Sequence, residues 1–464
     1  MTEEAPLIKL VYEVQNIGIV AGRLMKCRSK LSREKMMKKI SWKRYLLKNK
    51  NTPLLQFDFH PGDGSKNGDS GRNGTVEIGE RFSENAALFP KDLSPEASGE
   101  MVMQWIKSRR APKNRWNIWH VFSAIGKTKN PLQYVDAARG MSLNDSFWIT
   151  EYELDEKWED CHLYNHPFAK ELAGAALFGH SCIVEGKIFT PELTTGGVLP
   201  KCWIRENGKI LLIKMDRHDC GDGQSQAVNE YLASQVAEVM GIPHVGYTLI
   251  QIKRPDGIMA PACVCELFTS EKTGFCNAGI FFQRKYSSLR RPDLAFHQLP
   301  LRSRTTHIGM AAFFGRRAYA DMMVFDAVVG NRDRHLGNYG RLYENDTGRM
   351  LGPAPLFDNG RSILYDTENV NFMNMESFID SLYGQRGKFL LHDEAVWQFA
   401  EPRHMEMMER VRHIRLEAPA IGISASRLQL AEQILHLRAE RIMKTLEYKI
   451  KGQPAPVRWA NGGL

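Results

Sequence analysis

Val324–Leu342 reads VFDAVVGNRDRHLGNYGRL, and PAPLFDNG follows at Pro353–Gly360. Asp333 and Asn338 stand five residues apart, and Asp358 comes twenty residues after Asn338. The intervening RLYENDTGRMLGPAPLF reads as a β-hairpin with its turn at Asn345–Gly348. This set suits phosphoryl transfer. One carboxylate, Asp333, orients an attacking hydroxyl and takes its proton; an amide and a second carboxylate, Asn338 and Asp358, hold Mg²⁺ against the phosphates. Magnesium takes hard oxygen ligands and few protein carboxylates, so those two suffice. Taken alone, the same residues read equally well as a polar loop and an Asp-Asn-Gly turn. What lies around them decides.

Working upstream, short apolar runs alternate with one helix. SCIVEGKIF (181–189), KCWIREN (201–207) and KILLIKM (209–215) read as strands, with Glu206–Gly208 as a hairpin turn. AVNEYLASQVAEVM (227–240) reads as a helix with Val228, Leu232, Val236 and Val239 on one face, stopped by Gly241 and Pro243. VGYTLIQI and APACVCELF are two further strands. Lys214 is a lone cation in an apolar strand, and Glu230 lies off the helix's apolar stripe. Together they suit the ion pair that holds a phosphate-contacting lysine in kinases; singly, an exposed strand-end lysine and a solvated glutamate are the plainer readings. Thr194, Thr195, Gly196 and Gly197, in TPELTTGGVLPK, can bring backbone amides to phosphate oxygens or can form an ordinary turn. Cys265–Phe268, with Glu266 and Phe268, falls where a hinge would meet adenine. The order (glycine loop, strand lysine, helix glutamate, hinge, Asp-x4-Asn, hairpin, Asp) is that of a kinase. His335 is expected to fix the loop by hydrogen bonding, and Arg332 and Arg334 either steer phosphate or sit solvated. No HExxH, Cys/His cluster or GxSxG is present, so zinc hydrolysis and α/β-hydrolase chemistry have no support.

Composition sets the frame. The chain has 464 residues, a net charge of +9, 43% hydrophobic and 25% charged residues, which excludes wholesale disorder, collagen and coiled coil. No apolar run reaches the ~20 residues of a membrane span, and the N-terminus MTEEAPL shows no signal peptide. Eight cysteines without a CxxC pair fit a reducing, cytoplasmic compartment, with Cys263 and Cys265 as buried thiols. Arg23–Lys50 holds twelve Lys or Arg against one acid, Glu34. Met36, Ile40 and Leu47 fall near helical spacing there, so the segment reads as a basic amphipathic helix. It is either a solvated face or a docking surface for nucleic acid, an acidic protein or a membrane. His60–Thr75 is rich in Gly, Asp, Asn and Ser and reads as a mobile loop. Trp116 and Trp119 read as core aromatics. The expected layout is an accessory region over 1–175 (basic segment 23–50, flexible loop 60–75), a β-rich unit over 176–268, a helical unit over 269–450 and a tail over 451–464. Leu428, Ala431, Leu435, Ile442 and Leu446 mark a long helix near the end of the helical unit.

The sequence resembles the HipA-like serine/threonine kinases of bacteria. TTGGVLPKCWIRENGKILLIK, NEYLASQVAEVMGIP, VVGNRDRHLGNYG and PAPLFDNGRSIL carry the likeness, and WIKSRRAPKNRWNI and GMSLNDSFWI extend it upstream. The resemblance implies an α+β, two-lobed protein-kinase-like fold with a β-rich N-lobe, a helical C-lobe and an N-terminal extension. It implies ATP and Mg²⁺ as cofactors. Asp333 is then the base, Asn338 and Asp358 the metal ligands, Lys214 the phosphate lysine and Glu230 its partner. Thr194, Thr195, Gly196 and Gly197 form the phosphate loop, and a loop threonine is an autophosphorylation candidate. A protein serine or threonine is the implied substrate, and a small helix-turn-helix antitoxin of a toxin–antitoxin pair the implied partner. The catalytic run has Asn331-Arg332-Asp333 where eukaryotic kinases have His-Arg-Asp, and Asp358-Asn359-Gly360 replaces Asp-Phe-Gly. A nucleotide-binding scaffold acting through the basic segment, and a kinase of a small molecule or lipid, are the alternatives.

Overall fold

The computed structural model of the chain describes residues 42–61, 74–125, 131–184, 188–217, 225–282, 304–365, 390–419 and 423–454. The protein mixes helices with three antiparallel sheets among the described residues. The first sheet joins β1 (Lys43–Asn49), β2 (Thr52–His60), β3 (Thr75–Arg81) and β4 (Phe147–Glu151) in the order β3-β2-β1-β4. Between β3 and β4 come α1 (Gly99–Ser108), α2 (Ile118–Ala124) and α3 (Pro131–Ala138), and α4 (Lys170–Phe178) follows.

The basic segment is not helical where it is described. Its last part is β1, because the residues alternate: Tyr45, Leu47 and Asn49 are buried while Lys43, Arg44 and Lys48 are not. That is a period of two, satisfied by pairing with β2 on one side and β4 on the other. The strand's cations are matched locally. Lys43 meets Asp136 at 3.3 Å and Glu151 at 2.5 Å, Arg44 meets Asp58 at 2.8 Å, and Lys50 meets Asp346 at 2.6 Å. Residues 23–41 of the basic segment and 62–73 of the glycine-rich loop lie outside the described residues.

The second sheet has the order β5-β6-β8-β7, from β5 (Lys201–Glu206), β6 (Lys209–Met215), β7 (Thr248–Lys253) and β8 (Met259–Glu266), with α5 (Gln226–Met240) between β6 and β7. The β5–β6 turn is as expected: Asn207 and Gly208 take φ values of 50° and 77°, the left-handed pair that a two-residue hairpin requires. Ser225 caps α5 by accepting from the Val228 amide at 3.1 Å, and Gly241 ends it at φ 70°. Residues 181–184 and 188–189, expected as part of a strand, have no regular structure. Trp119 is 64% exposed and so is not a core residue, whereas Trp116 is half-buried.

After Thr269 the chain is not helical at once. β9 (Thr273–Asn277) pairs with the expected hairpin of β10 (Gly340–Glu344) and β11 (Met350–Pro353) in the order β11-β10-β9. Gly340 permits this: a Cβ there would lie 2.2 Å from the Cys276 carbonyl oxygen. The helices are α6 (Arg304–Phe314), α7 (Arg316–Val329), α8 (His392–Phe399), α9 (His404–Arg412) and α10 (Ala425–Ile450). The expected stripe of α10 faces inward, with Ala431, Leu435, Ile442 and Leu446 fully buried. One apolar core runs through residues of all three sheets and these helices. Cys161, Cys182, Cys202, Cys263, Cys265 and Cys276 are buried free thiols. Among the described residues no helix is long and apolar enough to cross a membrane.

Two features of this fold position the site. Gly330 ends α7 at φ 69° and releases the loop 331–338. A parallel bridge between His244 and Leu356 ties the chain after α5 to the segment that leads into Asp358, with Val245 N–H donating to the Leu356 carbonyl at 2.8 Å and Leu356 N–H to that of Pro243 at 2.9 Å.

Candidate active site

β6 delivers Lys214 to a buried position where its ammonium donates to Glu230 Oε1 at 2.8 Å and to Asp358 Oδ1 at 2.9 Å. Three residues far apart in sequence thus meet at one nitrogen. Burial works against the Lys214 charge, but Asp358 and Glu230 outweigh it and hold its pKa well above the ordinary lysine value. Glu230, buried on α5, also accepts from the Asn359 amide at 2.7 Å through Oε2. Its burial was hidden from the sequence reading, which placed it only off the apolar stripe. Asp358 takes a left-handed φ of 60°, which aspartate tolerates better than most side chains. Its side chain is 41% exposed, so it opens toward solvent while its inner oxygen meets Lys214. Crowding by the protein pushes its carboxyl up, but Lys214 and Lys201 overcome this and leave it well below the usual carboxylate range.

Asp333 and Asn338 form a second group. Asp333 N–H donates to Asn331 Oδ1 at 2.9 Å, and the Asp333 carbonyl accepts from Asn338 Nδ2 at 3.1 Å. The Asp333 carboxylate meets Arg361 at 3.5 Å. His335 does brace the loop: its Nδ1 accepts from the Gly337 amide at 3.0 Å. Arg334 neither steers phosphate nor lies solvated. It is buried, and its guanidinium donates to Asp326 through Nε and Nη2 at 3.0 Å each, to the Phe357 carbonyl at 2.8 Å and to the Asn338 carbonyl at 3.0 Å. It also reaches Asn359 Oδ1. Arg334 therefore joins the Asp333–Asn338 loop to the segment carrying Asp358.

The loop Thr194–Lys201 leads into the start of β5. The backbone amides of Thr195, Gly196, Gly197 and Val198 make no hydrogen bond among the described residues. Gly196, Gly197 and Val198 are exposed. The Thr194 hydroxyl donates to the Met141 carbonyl at 2.7 Å; that of Thr195 donates to the Pro191 carbonyl at 2.7 Å and accepts from Trp203 Nε1 at 2.9 Å. Gly197, at φ 83°, faces Lys201 so closely that a Cβ would lie 2.3 Å from its ammonium. Glu266 turns its side chain to Lys209 at 2.8 Å, and Phe268 packs on Phe275 and on Phe357, beside Asp358. A cavity of about 540 Å³ bordered by Phe281, Phe313, Arg341 and Met350 is separate and contains none of these residues.

Residues 193–418 match the family model of the HipA-like C-terminal domain. The chain carries a HipA-like C-terminal domain. This domain spans every residue named in the site above except Met141 and Pro191. The chain is similar to the Helicobacter pylori proinflammatory kinase CtkA at 15% identity, with a TM-score of 0.40, over 55% of this chain and 91% of that one. It is also similar to a chain of the Shewanella oneidensis MR-1 toxin–antitoxin complex of HipA, HipB and operator DNA. There the identity is 14% and the TM-score 0.47, over 86% of this chain and 97% of that one. No curated protein matches the chain.

Within the HipA-like domain, sequence reasoning missed Lys201 and gave Arg334 the wrong role. Lys201 opens β5 directly opposite Lys214 in the β5–β6 register. It is buried, and burial together with the Lys214 charge pushes its pKa down to about 7. The signal was present as a second lysine flanking the glycines, but only the register shows that two cations share one site. A stability effect follows. A lysine whose folded pKa lies below its unfolded value costs stability while protonated in both states, and the folded state gains as pH rises from about 7 toward ~10.4. Lys201→Met is expected to raise the melting temperature of the nucleotide- and metal-free protein at pH 7 by a few degrees and to flatten the rise between pH 7 and 9. Scanning fluorimetry with a chelator present checks this; a lower melting temperature at both pH values would refute it.

Proposed function

We propose that the protein is an ATP- and Mg²⁺-dependent kinase of the HipA type that phosphorylates serine or threonine of a protein. The observation that carries this reading is the meeting of Lys214, Glu230 and Asp358, which supplies the lysine, its partner and an ionised carboxylate at one point. The match of residues 193–418 to the HipA-like C-terminal domain supports it as well. In this reading β5–β8 and α5, within 176–268, form the smaller lobe. Residues 269–450 form the larger, 1–175 the extension and 451–464 a tail.

The roles follow from the geometry. Lys214 and Lys201 contact phosphate oxygens, and the free amides of Thr195–Val198 cradle them. Glu230 holds Lys214 in place, and the backbone near Glu266 and Phe268 receives the adenine. Asn338 and Asp358 fit a magnesium ion by donor chemistry: both offer hard oxygens, and the Asp358 carboxyl is held ionised. Magnesium, when bound, neutralises charge developing on the transferred phosphoryl group. Asp333 orients the acceptor hydroxyl and takes its proton. In the conformation described, both loop threonines spend their hydroxyls on neighbouring groups, so self-phosphorylation at Thr194 or Thr195 requires the loop to leave its place. The buried free thiols fit work in a reducing cytoplasm. By family, a small DNA-binding antitoxin is the partner to test.

The test is transfer itself. Incubated with γ-labelled ATP, Mg²⁺ and a cell extract, the protein is expected to place acid-stable label on serine or threonine of a protein. Chelating the metal should return the label to background. Binding of ATP with no transfer to any acceptor would favour a nucleotide-binding scaffold. Label appearing only on metabolites would favour a small-molecule kinase.

A further inference from the structure

The loop Thr194–Lys201 does not hold its shape alone. Its carbonyls and those just before it accept from the segment Ala111–Trp116, which lies in the chain well before it. Arg115 is fully buried, and its guanidinium donates to the Glu192 carbonyl at 2.9 Å, to the Lys201 carbonyl at 2.6 Å and to the Thr195 carbonyl at 3.4 Å. The same guanidinium pairs with the buried Glu192 carboxylate at 2.8 Å, and the other oxygen of that carboxylate accepts from the Trp203 amide at 2.8 Å. Backbone bonds run alongside: Ala111 N–H donates to the Leu193 carbonyl at 2.7 Å, and Trp116 N–H to the Val198 carbonyl at 2.8 Å. The carbonyls of Thr195, Val198 and Lys201 are thus held, while the amides of Thr195, Gly196, Gly197 and Val198 make no hydrogen bond among the described residues. A row of unbonded amides is what an anion requires, and an arginine fork can hold several carbonyls in one fixed geometry.

We propose that Arg115 and Glu192 form a buried clamp that presets the loop for phosphate, so that Arg115, outside the HipA-like domain, is a positioning residue of the nucleotide site. The inference rests on reading Thr194–Lys201 as the phosphate loop. Its consequence is that the region before residue 176 is part of the nucleotide-binding machinery, and anything that shifts Ala111–Trp116 alters ATP affinity without touching ATP.

The experiment compares ATP·Mg²⁺ with adenosine, by calorimetric titration of the full chain. Adenosine lacks phosphates and so reports the rest of the site. Replacing both members of a buried ion pair by apolar residues of similar size often leaves stability nearly unchanged. The double variant Arg115→Met/Glu192→Leu is therefore expected to fold and to bind adenosine as wild type does. Its affinity for ATP should fall on the order of tenfold to a hundredfold, as a displaced positioning group would cause. Arg115→Lys keeps the charge but not the fork, and should lose ATP affinity in the same direction by less. An unchanged ratio of ATP to adenosine affinity in both variants would overturn the clamp. Equal loss of both ligands would assign Arg115 a merely structural role and overturn it as well. If the wild type itself shows no preference for ATP over adenosine, the phosphate-loop reading fails first and the clamp with it.

Discussion

Asp333→Asn is expected to abolish phosphoryl transfer while leaving ATP binding and the fold intact. The loop around Asp333 is held through its backbone. Its amide donates to Asn331 Oδ1, and its carbonyl accepts from Asn338 Nδ2 and from the His335 amide at 2.7 Å. Asparagine keeps all of these. The carboxylate meets Arg361 at 3.5 Å, with the arginine 45% exposed, and an ion pair so open to solvent contributes little, about 0–1 kcal/mol. What asparagine cannot do is accept a proton. A positioned base contributes roughly 10²–10⁴-fold to rate, so single-turnover transfer should fall by that factor. Transfer at the wild-type rate would remove Asp333 from the mechanism. Loss of ATP binding together with transfer would show that the residue is structural, and the assignment of the base would move elsewhere in the loop.

The sequence made the linear order of the site legible, and the contacts that hold it together much less so. Lys214, Glu230 and Asp358 were each recognisable as chemistry-bearing residues in a plausible order, and the structure brings those three to one point. Asp358 joins the other two on a segment tied to the chain after α5 by the bridge between His244 and Leu356, a contact that no periodicity announces. Strands with a tight turn were readable because Asn207-Gly208 carries its own backbone preference. The strand β1 was not. The near-helical spacing of Met36, Ile40 and Leu47 suggested a helix, but the decisive fact is that two other strands flank Lys43–Asn49, and pairing of that kind overrides local preference. β9 was missed for the same reason: five residues gain strand character only by lying beside β10.

Arginine is where sequence reading failed most instructively, because the same residue type serves as surface charge, ligand and internal brace. Arg334 is the brace, and Arg334→Met is expected to destabilise the protein by about 3–5 kcal/mol, the cost of breaking a buried ion pair from one side. Asp326 is buried, and burial pushes its carboxyl up while Arg334 opposes the shift. Without the guanidinium, that carboxylate keeps, among the described residues, only the Asn331 side-chain amide at 3.1 Å, and the carbonyls of Asn338 and Phe357 lose their side-chain donor. Urea denaturation should show the midpoint falling with little change in slope. A loss below about 1 kcal/mol would mean that the brace is not needed for folding. The pair can then be separated from its role in the site. Arg334→Met/Asp326→Leu removes both charges and should recover much of the stability, since an apolar replacement avoids a stranded buried ion. It should not recover transfer, because the loop holding Asp333 and Asn338 and the segment holding Asp358 are no longer tied through one guanidinium. Arg334→Lys should fall between the two: a single ammonium can keep the charge near Asp326 but cannot span four groups at fixed angles. Stability and transfer recovering together in the double variant would show that Arg334 supports the fold alone. Stability returning without transfer would show that one buried arginine sets the distance between Asp333 and Asp358.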